Sequence, residues 1–206
     1  MELKVPHITR QKAERVAEEF LTQHHPSRSL PVPIDLLAEK ACNLDIVPCT
    51  GVDEVVDGHG FLASDLHTIY VDWGVYHHRI SHRYRSTVAH ELGHLLMHAA
   101  VYQSLCFECL DEYLDFIREV DEEALSWLET HANWFMGFVL VPGQDLRRLL
   151  DEKLVAWASA AGQSAALSPA VTDRIVRSLA QDFCVSSGMI KTRLRQDKLL
   201  DPDLLD

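Results

Sequence analysis

Residues 90–94 read His-Glu-Leu-Gly-His, and no other stretch of the chain constrains its fold as tightly. Two histidines at i and i+4 can serve one metal ion only on a helix, where their Cβ atoms lie about 5–6 Å apart on one face and both imidazoles reach one zinc. The flanking residues read as that helix, from about Tyr84 to Ala100, with Ser81 or Ser86 as its cap. At about 100° per residue, Arg83, Thr87, Glu91, His94 and His98 share a polar stripe. Val88, Leu92, Leu95, Leu96 and Ala99 fall on the opposite side, which is expected to pack while the histidines face a cleft.

The rest of the chain supplies the body around this helix. Apolar spacing predicts helices over residues 8–24 and 32–43, the second with Pro33 near its first turn and ending near Asn43. Three short strand candidates follow, LDIVPC, HGFLAS and TIYVDW. Residues 121–141 are apolar on nearly every face in their second half, the mark of a buried helix, and Pro142 stops it. Helices near 144–160, 170–183 and 186–197 come next. Residues 73–82 and 102–120 read as irregular, AAGQSAALSP as a flexible loop, and the tail DPDLLD as disordered. The expected class is α+β: a mainly helical domain over residues 1–150 with a small sheet of about three strands packed on the HExxH helix, and a helical, helix-turn-helix-like extension over 151–206.

Charge and cysteine usage narrow the partners and the compartment. Nineteen Lys and Arg against 31 Asp and Glu give a net charge of -12, which repels phosphate backbones. Lys191, Arg193, Arg195 and Lys198 cluster in the last helix, where basic residues also complement a helix dipole, so DNA contact is not expected. There is no long apolar run and no export signal, which predicts a cytoplasmic chain without membrane contact and with reduced thiols at its five cysteines.

A catalytic zinc takes three protein ligands and keeps one position open. His90 and His94 would supply two. His98 shares their stripe but lies a further turn along, and the third histidine of the metzincin spacing would fall at Ala100. Cys106 and Cys109 form a lone C-x-x-C, and Cys49 has no flanking motif to support it. Glu129 fits best: it is a charged residue on the apolar helix, with Asn133 one turn on as a polar partner. Glu122, two turns earlier on the same face, is the fallback, and His131 points about 160° away from Glu129.

VAHELGHLLMH followed by ETHANWFMGFVLVP resembles the ImmA/IrrE metallopeptidases, with their HELGHxxxH and E-x-x-A-N-x-F segments. The resemblance runs from about residue 31 to 150, PIDLLAEKACNLDIV and GFLAS to TIYVD included, and continues weakly to LAQDFCVSSGMIKTRL. Met136 replaces a usually small residue, and 101–120 does not match. The resemblance implies a zincin-like fold, with His90, His94 and Glu129 on zinc and Glu91 as the base. It also implies a protein partner, a phage-type helix-turn-helix repressor.

The residues themselves support hydrolytic chemistry. Zinc lowers the pKa of bound water to about 7, and Glu91, next to His90, would take the proton and pass it to the leaving amine. Manganese suits the same ligands. Tyr84, Tyr102 and His131 are candidates to stabilise the oxyanion. TIYVD, as an edge strand, could bind an extended peptide, although its alternation reads more simply as half-buried sheet. The main expectation is a zinc endopeptidase that cleaves a repressor. The alternative is a non-proteolytic regulatory partner, or an antitoxin-paired protein, whose metal is structural; an intact Glu91 favours the enzyme.

Overall fold

The computed structural model describes residues 3–52, 59–161 and 167–205. Helices α1 (Arg10–His24) and α2 (Ile34–Ala41) precede strands β1 (Asp45–Cys49), β2 (Gly60–Leu62) and β3 (Thr68–Asp72). Then come α3 (Trp73–Tyr76), α4 (His82–Tyr102), α5 (Leu110–Glu119), α6 (Glu122–Leu140), α7 (Gly143–Ala161), α8 (Pro169–Phe183) and α9 (Ser187–Gln196), and a 3₁₀ turn closes the chain at Pro202–Leu204. The architecture is the α+β class expected, mainly helical with a three-stranded mixed sheet. Among the described residues no helix is long and apolar enough to cross a membrane.

Local signals set the helix ends. The Ser81 hydroxyl accepts from the Tyr84 N–H and starts α4, and the Asp121 carboxylate accepts from the Ala124 N–H and starts α6. Pro142 follows α6 and forces the break before α7. The sheet order is β1-β3-β2, with β1 parallel and β2 antiparallel to β3. TIYVD is therefore the central strand, paired on both sides, and cannot receive a peptide; the outer edge next to α4 belongs to β2.

Two helices carry the centre of the molecule, α4 and α6, and they cross closely at Gly93. A Cβ there would sit 3.2 Å from the Ala132 Cα, the Ala132 carbonyl oxygen and the Phe135 ring. Two of those three atoms are backbone, so only a shift of a whole helix could relieve the contact. Alanine gains about 1 kcal/mol over glycine in helix propensity, whereas overpacking costs about 1–3 kcal/mol. Gly93→Ala is expected to lose up to about 2 kcal/mol in denaturant unfolding and to weaken metal binding, because the crossing sets the distance between ligands on the two helices. Unchanged stability and unchanged metal affinity would show that the crossing has slack.

The opposite face of α4 is less dry than its sequence suggests. Leu96 is 37% exposed, while Glu91, His94 and His98 are buried, because the polar stripe faces α6 and the sheet. Residues 73–76 form a short helix, not an irregular segment, started by the Asp72 carboxylate on the Gly74 N–H. Within 102–120, α5 buries Tyr113 and Phe116 against Phe107 and stacks Tyr113 on Phe61 of β2. The tail is ordered through Leu205, which is buried, and the 3₁₀ turn packs by α8. Residues 162–166 of the AAGQSAALSP segment lie outside the described residues.

The last helix is tied to the first. Asp197 accepts from Arg10 at 2.6 Å and from Arg193 at 2.8 Å, and both guanidinium groups lie over the Phe138 ring. Arg193 is thus an internal clamp, and Lys191 pairs with Asp173, so neither is a spare surface charge. Arg85 of α4 reaches the carbonyls of Val32 and Cys184, fixing α4 to the chain on both sides.

Candidate metal centre

The crossing of α4 and α6 brings His90, His94 and Glu129 together, with one ligand atom of each within 4.8 Å of the others. The Nε2 atoms of His90 and His94 are 3.0 Å apart. Glu129 presents Oε2 to His90 at 3.0 Å and Oε1 to His94 at 3.5 Å. Metal bonds of about 2.0–2.1 Å at tetrahedral angles put neighbouring ligand atoms about 3.3 Å apart, so the two Nε2 atoms and the Glu129 carboxylate are already near coordination spacing. The outer nitrogens are engaged elsewhere: His90 Nδ1–H donates to Asn133 Oδ1 at 3.3 Å, and His94 Nδ1 lies 3.2 Å from His98 Nδ1. Both Nε2 atoms face Glu129 and each other, where a cation would replace the protons they share with that carboxylate, and two imidazoles with one carboxylate suit zinc or manganese.

The electrostatics of the bare site show the same convergence. Burial alone would raise the Glu129 carboxyl, but hydrogen bonds from His90 and His94 hold it well below the usual carboxylate range. Burial likewise works against a charged His90, yet the Glu129 carboxylate, together with Glu91, lifts that imidazole to about 9. Three mutually dependent groups are arranged here around a position that favours positive charge.

Glu91 is 3% exposed and sits between the histidines and the sheet. Its Oε2 accepts the Leu62 N–H at 2.9 Å. Burial is the main force raising its pKa, Glu129 adds to it, and the two ligand histidines oppose it. The main-chain bond exists because β2 lies very close to α4. A Cβ on Gly60 would come within 2.6 Å of both the Thr87 methyl and the Tyr70 carbonyl oxygen, so only glycine allows the approach.

The centre opens into a cleft of about 600 Å³, lined by His90, Glu91 and Glu129, by Gly60 of β2, by Tyr113 of α5 and by Met136 of α6. A second groove of about 490 Å³ adjoins it, sharing Ser86, Asn133, Met136 and Ser186 and running along α9 past Met189 and Gln196. The turn before α9 is thus a wall of the cleft.

Other residues considered from sequence lie elsewhere. Glu122 is exposed in the first turn of α6 and outside the ligand group. Cys106 and Cys109 are exposed free thiols, and Cys49, on β1, is also outside that group. Tyr84, Tyr102 and His131 do not line the cleft; Tyr113, His59 and His82 do. Sequence reasoning missed the pairing of His98 with His131, whose Nε2 and Nδ1 atoms are 3.2 Å apart. The available signal was a third histidine one turn beyond HELGH.

Residues 75–195 match the IrrE N-terminal-like domain, a peptidase family, over more than half of the chain. No curated protein matches the chain. The matched span holds all three members of the ligand group and the helices that cross to form it, and on that match the chain belongs to the IrrE N-terminal-like, or ImmA/IrrE, peptidase family.

Proposed function

We propose that this chain is a zinc-dependent endopeptidase whose substrate is a helix-turn-helix repressor. One observation carries the catalytic part: a buried carboxylate, Glu91, stands beside a convergent His90–His94–Glu129 ligand set at the floor of an open cleft. A structural zinc would have a fourth protein ligand and no need of a neighbouring base. The repressor is supported by the family resemblance.

A cation held by His90, His94 and Glu129 would supply Lewis acidity to a water and to the scissile carbonyl. The protein's own groups do the rest. Glu91, held by the Leu62 N–H and made more basic by burial than an ordinary carboxylate, takes the proton from the attacking water and returns it to the leaving nitrogen. Asn133 fixes the tautomer of His90. Tyr113, whose ring is stacked on Phe61 and whose proton burial retains, is the cleft residue suited to donate a hydrogen bond to the developing oxyanion.

The substrate chain has an edge to lie along. Alternation in the β2–β3 pair turns the main chain of Gly60 and Leu62 away from β3; the Leu62 N–H is taken by Glu91, so Gly60 is where an added strand would pair. An extended peptide adding to this edge would bring its backbone over the ligand histidines, and the groove along α9 would take the side chains beyond Met136.

The test is direct. Purified protein loaded with zinc, or with manganese, is incubated with candidate helix-turn-helix repressors, with and without a chelator, and the products are identified by mass spectrometry. Discrete, chelator-sensitive cleavage is expected. Tight zinc binding together with a stable repressor complex and no cut would favour the regulatory-partner reading instead.

A further inference from the structure

Beyond the ligand set, a line of buried imidazoles runs from the centre into the protein. His94, His98 and His131 are each at most 2% exposed. His94 Nδ1 faces His98 Nδ1 at 3.2 Å, and His98 Nε2 faces His131 Nδ1 at 3.2 Å. Trp127 and Trp134 pack their rings on His131, and Tyr102 packs on His94. His98 cannot be a ligand to the same ion, because it meets the nitrogen of His94 opposite the one that faces His90 and Glu129.

Proton counting makes this line directional. A neutral imidazole has one N–H and one lone pair. If His94 gives its Nε2 lone pair to a metal, its proton must sit on Nδ1 and donate to His98. His98 must then accept on Nδ1, which places its own proton on Nε2, where it donates to His131 Nδ1. His131 in turn carries its proton on Nε2, a buried atom with no hydrogen-bond partner among the described residues, so the line ends there. Every contact in the line is satisfied by one assignment, and reversing any ring leaves two protons or two lone pairs face to face.

We propose that His98 and His131 are positioning residues, a two-imidazole relay that locks His94 in the Nδ1–H tautomer and orients its Nε2 toward the metal. The proposal rests on the metal-centre reading. The competing explanation is that these histidines merely fill the core, each satisfying the other's polar atoms. The two differ in what the metal feels. A partner of this kind behind a metal-bound histidine is worth about 10–100-fold in metal affinity, whereas core filler can be exchanged for an apolar residue with little effect on the metal.

The experiment uses the full chain as wild type, His98→Leu, His98→Asn and His131→Phe. Zinc affinity is measured by chelator competition, and the visible spectrum of the cobalt-substituted protein reports coordination geometry. His98→Leu is expected to lose about 10–100-fold in zinc affinity with a changed cobalt spectrum. His98→Asn, whose side-chain oxygen can accept from His94 Nδ1–H, should recover part of that loss, and His131→Phe should lose less than His98→Leu. Nitrogen NMR of zinc-loaded wild type should find protons on Nδ1 of His94 and on Nε2 of His98 and His131, a readout that stands even if His98→Leu fails to fold. Wild type that binds no zinc would overturn the metal-centre reading and the relay with it. Wild type that binds zinc, with a folded His98→Leu of equal affinity or with the opposite tautomers, would overturn the relay alone.

Discussion

In the Glu91→Gln protein, peptide-bond cleavage is expected to fall by about 10²–10⁴-fold while zinc affinity stays within about tenfold of wild type. Glutamine has nearly the shape of glutamate, and its carbonyl oxygen can still accept the Leu62 N–H that holds Oε2 at 2.9 Å. What it lacks is the ability to take a proton. The carboxylate is not in the ligand group, so its loss should leave the metal in place. Rates from a peptide spanning the cleavage site, and affinities from chelator competition, separate the two effects. Equal loss of metal and activity would mean that Glu91 acts as a structural or ligating group. Full activity would remove it from the mechanism. A protein that regulates its partner by binding alone would show no difference between the two forms in any function.

The parts of the site that were legible in the sequence are those that a single helix dictates. His90 and His94 share a face because of their spacing, and Glu91 is beside them by the same geometry. Glu129 was legible for a different reason: an acidic residue on an apolar helix needs a partner, and the ligand pair is the partner it found. Asn133 was placed correctly on the helix, but its hydrogen bond goes to His90 across the crossing and not to its own neighbour.

What stayed hidden depends on how elements meet. His131 does point away from Glu129 along α6, yet this direction leads to His98 of α4, because the two helices cross so closely at Gly93. No pattern within either helix contains that crossing. Likewise TIYVD carries the alternation of a strand whichever position it holds, and only the chain path puts β3 between β1 and β2. The α5 segment was read as irregular because its charges dominate; Tyr113 and Phe116, three residues apart, were too few to establish a period, and their burial comes from Phe61 and Phe107 on other elements. Lys191 and Arg193 resembled a basic reading face until Asp173, Asp197 and Phe138 appeared as their partners.

The second large effect is expected at Glu129. In Glu129→Gln, zinc affinity should drop by more than about 100-fold, since a lost ligand must exceed the 10–100-fold attributed to residues that only support ligands. Glu122 cannot replace it from its exposed position in the first turn of α6. The same substitution changes the protons released on binding, which distinguishes a ligand role from general destabilisation. In the metal-free wild type, burial disfavours a charged His90, but the Glu129 carboxylate and Glu91 raise it to about 9. At pH 7 that ring is protonated, so binding zinc must expel about one proton, and affinity should rise about tenfold per pH unit up to pH 9. Without the carboxylate, the strongest interaction raising the His90 pKa is lost, and the pKa falls although Glu91 and Asn133 still raise it. Fewer protons are then released at pH 7, and the pH dependence of affinity flattens in the same range. Calorimetric titration in buffers of different ionisation heat measures the proton count directly. A Glu129→Gln protein that binds zinc as tightly as wild type, or releases as many protons, would show that the carboxylate neither ligates the metal nor controls His90.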